Sequence, residues 1–600
     1  MLTCAKIGAL YDMPKESKPD IDLDRLRKTL LACQPQGASL SDIAKHTKSS
    51  LTRRTLQRRL QELHTNGAIF TRGEGPATRY FWDKPDWWKG FSCFPELSAT
   101  EVLKGLLDHG LFGERLPGCF NSEGMTSALK AESLVGELIS EDLKKVRGYV
   151  HYELVRDTLA PRPMGLPHPQ AYVTLSSTIT QFWEEIAKHC GHGENSNSRI
   201  FAQRYVDGSV FKMSYGGVNA LHDEDLTLSR MGFARYHVAA DISNCFPGMY
   251  THSIPWAIHG KSLSKKRRND LTLAGNCLDM ATRATTEGQT VGILIGPHAS
   301  SIISEIVLTE IDRGLERAGF QNFLRYIDDY NFYARSEDEA NSFIAELSRL
   351  LREYSLRANG KKQKITPLPA PTRADWTRKM RQIAPPISEE TGYGVVRDYL
   401  DTALECSQRL EKYAALTWAI KVVAGLNLSG RAAKLYIQRI LGIAITCDYI
   451  VPLLDEYVLS PFLQKDGESL FREFLSEALL VAKSKDRPGT IIHLLWLSQR
   501  FGLQIPVDEG VLVKLVEEND CLCNVMLFHY AQRYGGTGVV ESIREICNDL
   551  LKAERCDRDQ QWLLLYEVAE IAELEGAGEE FLARLKQVGF KFVRLDPERP

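Results

Sequence analysis

The stretch Phe323-Leu324-Arg325-Tyr326-Ile327-Asp328-Asp329-Tyr330-Asn331-Phe332-Tyr333 constrains the fold of this 600-residue chain more than any other. Aromatic and aliphatic residues on both sides of an Asp-Asp pair have the composition of two strands. The pattern therefore predicts a hairpin whose tight Asp-Asp turn holds the carboxylates at its tip. Such a hairpin needs further strands or helices over its apolar face. An aromatic-x-Asp-Asp quartet is weak alone, because chance supplies it in a noticeable minority of long chains. It gains weight from Tyr236-His237-Val238-Ala239-Ala240-Asp241, a β-run ending in a carboxylate 87 residues before Asp328. A strand ending in one Asp and a hairpin presenting two more can gather carboxylates around divalent ions. Hard oxygen ligands suit Mg²⁺. Two such ions about 3.5–4 Å apart activate a 3′-hydroxyl and stabilise a leaving pyrophosphate.

Two further blocks fit that chemistry. Gly288-Gln289-Thr290-Val291-Gly292-Ile293-Leu294-Ile295-Gly296-Pro297 precedes a helix, and glycines there allow backbone to approach a nucleotide closely. Asn359-Gly360-Lys361-Lys362-Gln363-Lys364-Ile365 is a basic turn after a helix, able to supply a cation or proton donor to departing pyrophosphate. A solvated Asp pair with no role would leave Asp241 and the glycine block unexplained.

In this order the four blocks resemble the palm of a reverse transcriptase. The flanks Arg162-Pro163-Met164-Gly165-Leu166-Pro167-His168-Pro169, Thr251-His252-Ser253-Ile254-Pro255-Trp256-Ala257 and Ile295-Gly296-Pro297 through Ser304-Glu305-Ile306 resemble the prokaryotic abortive-infection and unknown-group reverse transcriptases of phage defence. The resemblance implies that Asp241 and Asp328 bind two Mg²⁺ ions (Mn²⁺ as substitute), with Asp329 as third carboxylate and the Ile242 carbonyl as an extra ligand. It implies a steric gate at Phe246, favouring dNTPs over rNTPs, and Gln289, Gly292 and Gly296 near the incoming nucleotide. Lys362 aligns with the basic residue after the palm helix, with Lys361 and Lys364 as competitors. Arg204 and Lys212 lie in the fingers region, where a cation for the triphosphate belongs. Leu294 departs from the family, standing where many relatives have proline. His298 reads as a packing or surface residue.

The implied activity is a Mg²⁺-dependent DNA polymerase in antiphage defence, adding dNTPs to a primer 3′-hydroxyl or a protein hydroxyl. Some relatives make DNA without a template from a protein tyrosine, leaving the product covalently attached; others copy a noncoding RNA. Tyr436, Tyr449, Tyr457, Tyr530, Tyr534 and Tyr566 are the candidate primers. A partner protein and homo-oligomer formation are carried from the family. The competing classes are a non-catalytic nucleic-acid-binding regulator or assembly subunit, which three retained carboxylates disfavour, and a nucleotidyl cyclase, which Phe246 disfavours.

The fold class expected is α+β, a right-hand palm and fingers between two added units. Residues 1–85 read as helix, helix, helix, hairpin, resembling a winged helix-turn-helix. Its third helix, with Leu56, Leu60 and Leu63 at helical spacing, carries Arg53, Arg54, Arg58 and Arg59 for nucleic-acid contact. A protein-interaction module with a solvated basic face is the alternative. Residues 86–370 hold fingers and palm, 371–395 a Pro-rich linker, and 396–600 an α-helical, HEAT-like repeat domain. Lys+Arg 74 against Asp+Glu 77 gives a net charge of −3. That sum averages unlike parts, +6 over residues 1–85 and −5 over 541–600. Thirteen cysteines without a Cys-x-x-Cys pair predict reduced thiols in the cytoplasm. No segment reads as a secretory signal or membrane span.

Overall fold

The computed structural model describes residues 97–595 except 133, 135–141, 156–160, 192–196, 201, 204, 206–207, 212–225, 387–389, 411–412 and 464–466, together with 26, 29–30, 38–46, 53–65, 69–72 and 79–81. In the N-terminal part, helices Leu40–His46 and Arg53–Thr65 precede antiparallel strands β1 (Phe70–Arg72) and β2 (Arg79–Phe81). Ser39 and Asp42 cap the first helix reciprocally: Asp42 N–H donates to Ser39 Oγ (3.1 Å) and Ser39 N–H to the Asp42 carboxylate (2.8 Å). Leu26, Leu30, Ile43, Leu56, Leu60, Ile69 and Tyr80 form a small core of their own. The Ser49-Ser50 start and Asn66-Gly67 end expected for the second of these helices lie outside the described residues.

Strands β3 (Tyr149–Val155) and β4 (Pro161–Pro167) pair as an antiparallel hairpin. Helix Pro169–Gln181 follows directly, with proline in its first turn and His168 as N-cap. Phe182 ends this helix and begins the next, Trp183–Cys190. No strand lies among the described residues of 200–213. Among them Gln203 N–H donates to the Val210 carbonyl and Tyr205 N–H to the Ser209 carbonyl.

The site is positioned by a five-stranded antiparallel sheet. Its central strand β5 (Tyr236–Ser243) has β7 (Asp329–Ala334) on one side, with β6 (Phe323–Tyr326) beyond it. On the other side lie β8 (Arg357–Ala358) and β9 (Lys364–Pro367). Alternation sends Val238, Ala240 and Ile242 of β5, with Tyr330 and Phe332 of β7, into the core. There Phe332 stacks on Phe343 of helix Glu337–Glu353 at 4.3 Å. The opposite face carries Asp241 and Asp329.

From Tyr393 onward the described elements are helices, apart from Asn427–Leu428, which pairs with Glu390–Thr391. These helices share one continuous core with the sheet region, running from Leu97 to Val593. They close on β3 and β4: a side chain at Gly489 would collide with the Glu153 carbonyl, and Arg147 pairs with Asp559 and Glu579. His168 converges on the same two acids. Arg147 Nη2 lies 2.6 Å from His168 Nε2 and 2.8 Å from Asp559, so a guanidinium fills the place a metal would take. Among the described cysteines, nine are buried free thiols and Cys556 is exposed. Among the described residues no helix is long and apolar enough to cross a membrane.

Candidate active site

Asp241 and Asp329 are direct cross-strand partners on β5 and β7. Like charges in that relationship repel, so the pair calls for a cation. The hairpin differs from expectation in one respect. Tyr326 pairs with Asp329, so the two turn residues are Ile327 and Asp328, and Asp329 already belongs to the strand. Ile327 has φ +56°, a region costly for a β-branched residue and usually given to glycine in a two-residue hairpin. Asp328 stays close to β5 because its carbonyl accepts from Ile242 N–H at 3.1 Å.

The electrostatics follow the crowding. Burial first, then Asp328 and Asp241, push the Asp329 carboxyl up to about 6. Burial and Asp241 raise Asp328 as well. Lys362 Nζ lies 2.6 Å from Asp241 Oδ2, and among the described residues it is Lys362, rather than Lys361 or Lys364, that makes this ion pair. Asn359, which the sequence reading passed over, donates its side-chain amide to Asp241 Oδ1 (3.0 Å) and its backbone N–H to the Asp241 carbonyl (2.8 Å). The sequence signal was an Asn-Gly turn just ahead of the lysines. Three neighbouring carboxylates, all hard oxygen donors, fit a divalent cation. In this arrangement Lys362 supplies the positive charge.

Beneath the hairpin lies a second feature the sequence reading missed. Arg325 is fully buried on β6. Its guanidinium bonds both oxygens of Glu305 at 2.9 Å and both of Asp312 at 2.7–3.0 Å. Nη1 also donates to the Ile327 carbonyl at 3.1 Å, and Tyr330 Oη donates to Asp312 at 2.9 Å. The strained turn residue is thereby tied to helix His298–Arg317, which carries both acids. Only the position of arginine in a hydrophobic strand could have signalled this.

The other predicted residues are spread around these carboxylates. Phe246 is 8% exposed and belongs to the core. Its carbonyl accepts from Ile293 N–H at 3.0 Å, while Gly292 N–H donates to Met249, so the glycine block is zipped to the loop after β5. Gly292 has φ +97°, open to glycine and strained for other residues. Gln289 is exposed in the turn before it. Gly296 packs against Tyr152 and Gly165 of the β3–β4 hairpin. Leu294 seats against the Cα hydrogen face of Gly165, where a side chain would meet it at 2.7 Å. His298 is buried, with its ring 6.2 Å from Phe211. Arg58 is exposed and Arg59 half-buried on the N-terminal helix; Arg53 and Arg54 have side chains outside the described residues, as are Arg204 and Lys212.

Among the tyrosines, Tyr436, Tyr530 and Tyr566 are buried and hydrogen-bonded, which removes them as accessible hydroxyls. Tyr534 is half-buried and donates to Ser498. Tyr449 and Tyr457 are half-buried and line a groove of about 540 Å³.

Residues 197–383 match the model of the reverse transcriptase (RNA-dependent DNA polymerase) family. The chain carries a reverse transcriptase domain. The match spans the whole carboxylate sheet, β5 to β9, and makes this an RT-type polymerase fold of mixed α+β content. The family is one of DNA polymerases, nucleotidyltransferases that generally use divalent metal ions. No curated protein is significantly similar to the chain. Among solved structures, apo telomerase from Candida tropicalis is 11% identical, covering 88% of this chain and 83% of its own at a TM-score of 0.28. Telomerase from Candida albicans with a TWJ fragment of telomeric RNA is 12% identical, covering 90% and 81% at 0.28. Superpositions this loose define no shared architecture.

Proposed function

We propose that the chain is a Mg²⁺-dependent DNA polymerase of the prokaryotic defence-associated, abortive-infection type, working in the cytoplasm. The carrying observation is the direct pairing of Asp241 with Asp329 beside the Asp328 turn, inside the segment that matches the reverse transcriptase family. Asp241, Asp328, Asp329 and the Ile242 carbonyl would hold two Mg²⁺ ions, or Mn²⁺ in their place. Such ions, when bound, activate the attacking hydroxyl and neutralise the leaving pyrophosphate. Asn359 orients Asp241. Lys362 is released from Asp241 to face the pyrophosphate side and donates a proton there. Phe246, buried to 8% exposure beside the carboxylate strand, is assigned the exclusion of a 2′-hydroxyl and so the selection of dNTPs. Gly292, with Gln289 and Gly296 along the same segment, shapes the nucleotide side. Around this centre we assign residues 1–85 to a nucleic-acid-binding winged helix using Arg53, Arg54, Arg58 and Arg59. Residues 396–600 are assigned to a helical repeat that supports a homo-oligomer.

The first hydroxyl extended is either a primer 3′-hydroxyl or a protein side chain; for the second start Tyr449 and Tyr457, half-buried on a groove, are the candidates. The test is incubation of purified protein with Mg²⁺ and labelled dNTPs, without template, resolved on a denaturing gel before and after protease. Label that migrates with protein until protease treatment supports priming from a side chain. Product formed only with co-purified RNA would replace that reading with templated synthesis.

A further inference from the structure

Just beyond the active-site loop the chain carries five cations in eight residues, Lys261, Lys265, Lys266, Arg267 and Arg268. All five are exposed. The segment 261–270 has one acid, Asp270, giving a local charge of +4 in a chain whose total is −3. Among the described residues only Arg267 of the five is paired with an acid, and that acid is Asp270. Four positive charges are thus held together on helix Lys261–Lys266 and its C-terminal turn without neutralisation.

The cluster is attached to a row of rings. Lys261 Nζ lies 4.3 Å from the Trp256 ring centroid and Lys265 Nζ 6.0 Å, so both ammonium groups are drawn to the indole. Trp256 meets Tyr250 edge-on at 5.6 Å, and Tyr250 meets His252 at 4.9 Å. All three rings are only partly buried. Tyr250 in turn bridges Val291, a 58% exposed residue of the glycine block, whose neighbour Gly292 is bonded to Met249. Ile293, next along, is bonded to Phe246. An exposed strip therefore runs from the loop beside the carboxylates, over Val291 and the rings, to the cations.

We propose that this strip binds single-stranded nucleic acid, with Lys261, Lys265, Lys266 and Arg268 on phosphates and Tyr250 and Trp256 beneath unpaired bases. Cations alone would serve any polyanion. The interleaved rings select a strand whose bases are free to lie on them, because duplex bases are already stacked on one another. The proposal extends the polymerase reading and depends on it only for the strand's destination at the carboxylates.

The test is fluorescence anisotropy of the full-length protein with labelled dT20, rU20 and a 20-base-pair duplex, without dNTPs or divalent metal. Because binding alone is read, failure of the polymerase reading in an incorporation assay is a separate result. Lys261→Glu/Lys265→Glu should weaken single-strand binding at least tenfold. It should also reduce the slope of log K against log salt by about 1.4, at roughly 0.7 per single-strand phosphate contact. Lys266→Glu/Arg268→Glu, two exposed positions where folding is not at stake, should lower affinity and slope in the same direction. Loss in the dT20 arm identifies a DNA strand and loss in the rU20 arm an RNA strand; either supports the site. Unchanged affinity and slope in both charge-reversal variants would overturn it, as would duplex bound as tightly as single strands.

Discussion

Arg325 Nη1 donates to the carbonyl of Ile327, so a fully buried guanidinium holds the strained residue that presents Asp328. Its other donors are spent on Glu305 and Asp312, a bidentate arrangement that lysine cannot reproduce. Removing one partner from a buried ion cluster leaves uncompensated charge, at a cost of about 3–5 kcal/mol. Arg325→Met should therefore lose stability on that scale in urea unfolding. Arg325→Lys should keep more of the stability yet lose activity, because the turn is no longer fixed.

The same cluster makes a pH prediction. Burial pushes the Asp312 carboxyl up to about 6, against the partial relief given by Arg325. A carboxyl raised on folding binds its proton more tightly in the native state than in the unfolded chain. Its contribution is thus most favourable below the unfolded value near 3.8 and is lost as pH rises through about 6. The stability of wild type relative to Asp312→Asn should fall between pH 4 and 6 and be flat above about 7. Parallel denaturation series of the two proteins check this.

Lys362 pairs with Asp241 but its side chain is 57% exposed, so the pair adds little to the fold. Lys362→Ala should change unfolding free energy by less than about 1 kcal/mol. The same substitution should slow dNTP incorporation by roughly 10²-fold or more, the range of a lost general acid. Single-turnover kinetics with each protein separates the two effects.

Phe246, proposed to select dNTPs, is also part of the core. Complete truncation to alanine at this buried position should cost about 3–5 kcal/mol and confuse the readout. Phe246→Val removes the ring with less loss of volume. It should raise rNTP incorporation relative to dNTP at least tenfold, measured as a ratio of incorporation efficiencies at matched concentrations.

Much of the site was legible because strands alternate. The aromatic runs around Asp328-Asp329 and the β-run ending at Asp241 fixed which residues face the core and which face the carboxylates. What escaped was set by contacts between distant segments. Asn359 reaches Asp241 only because β8 and β9 return to β5. Glu305 and Asp312 look like ordinary polar residues of a helix until Arg325 is placed under it. The turn itself shifted by one residue, since a two-residue loop puts Ile327 rather than Asp329 in the bend.

The central claim is that Asp241, Asp328 and Asp329 act as one metal-binding set for DNA synthesis. The direct measurement is incorporation of labelled dNTPs by wild type, Asp241→Asn and Asp328→Asn, with Mg²⁺ and with Mg²⁺ chelated, alongside unfolding curves for each. The account predicts incorporation by folded wild type with Mg²⁺, abolished by chelation and reduced at least 10³-fold in each folded variant, as expected when metal-held phosphoryl transfer loses a ligand. Folded wild type that incorporates no more label than Asp328→Asn, with Mg²⁺ or Mn²⁺ present and with or without co-purified RNA, would contradict it.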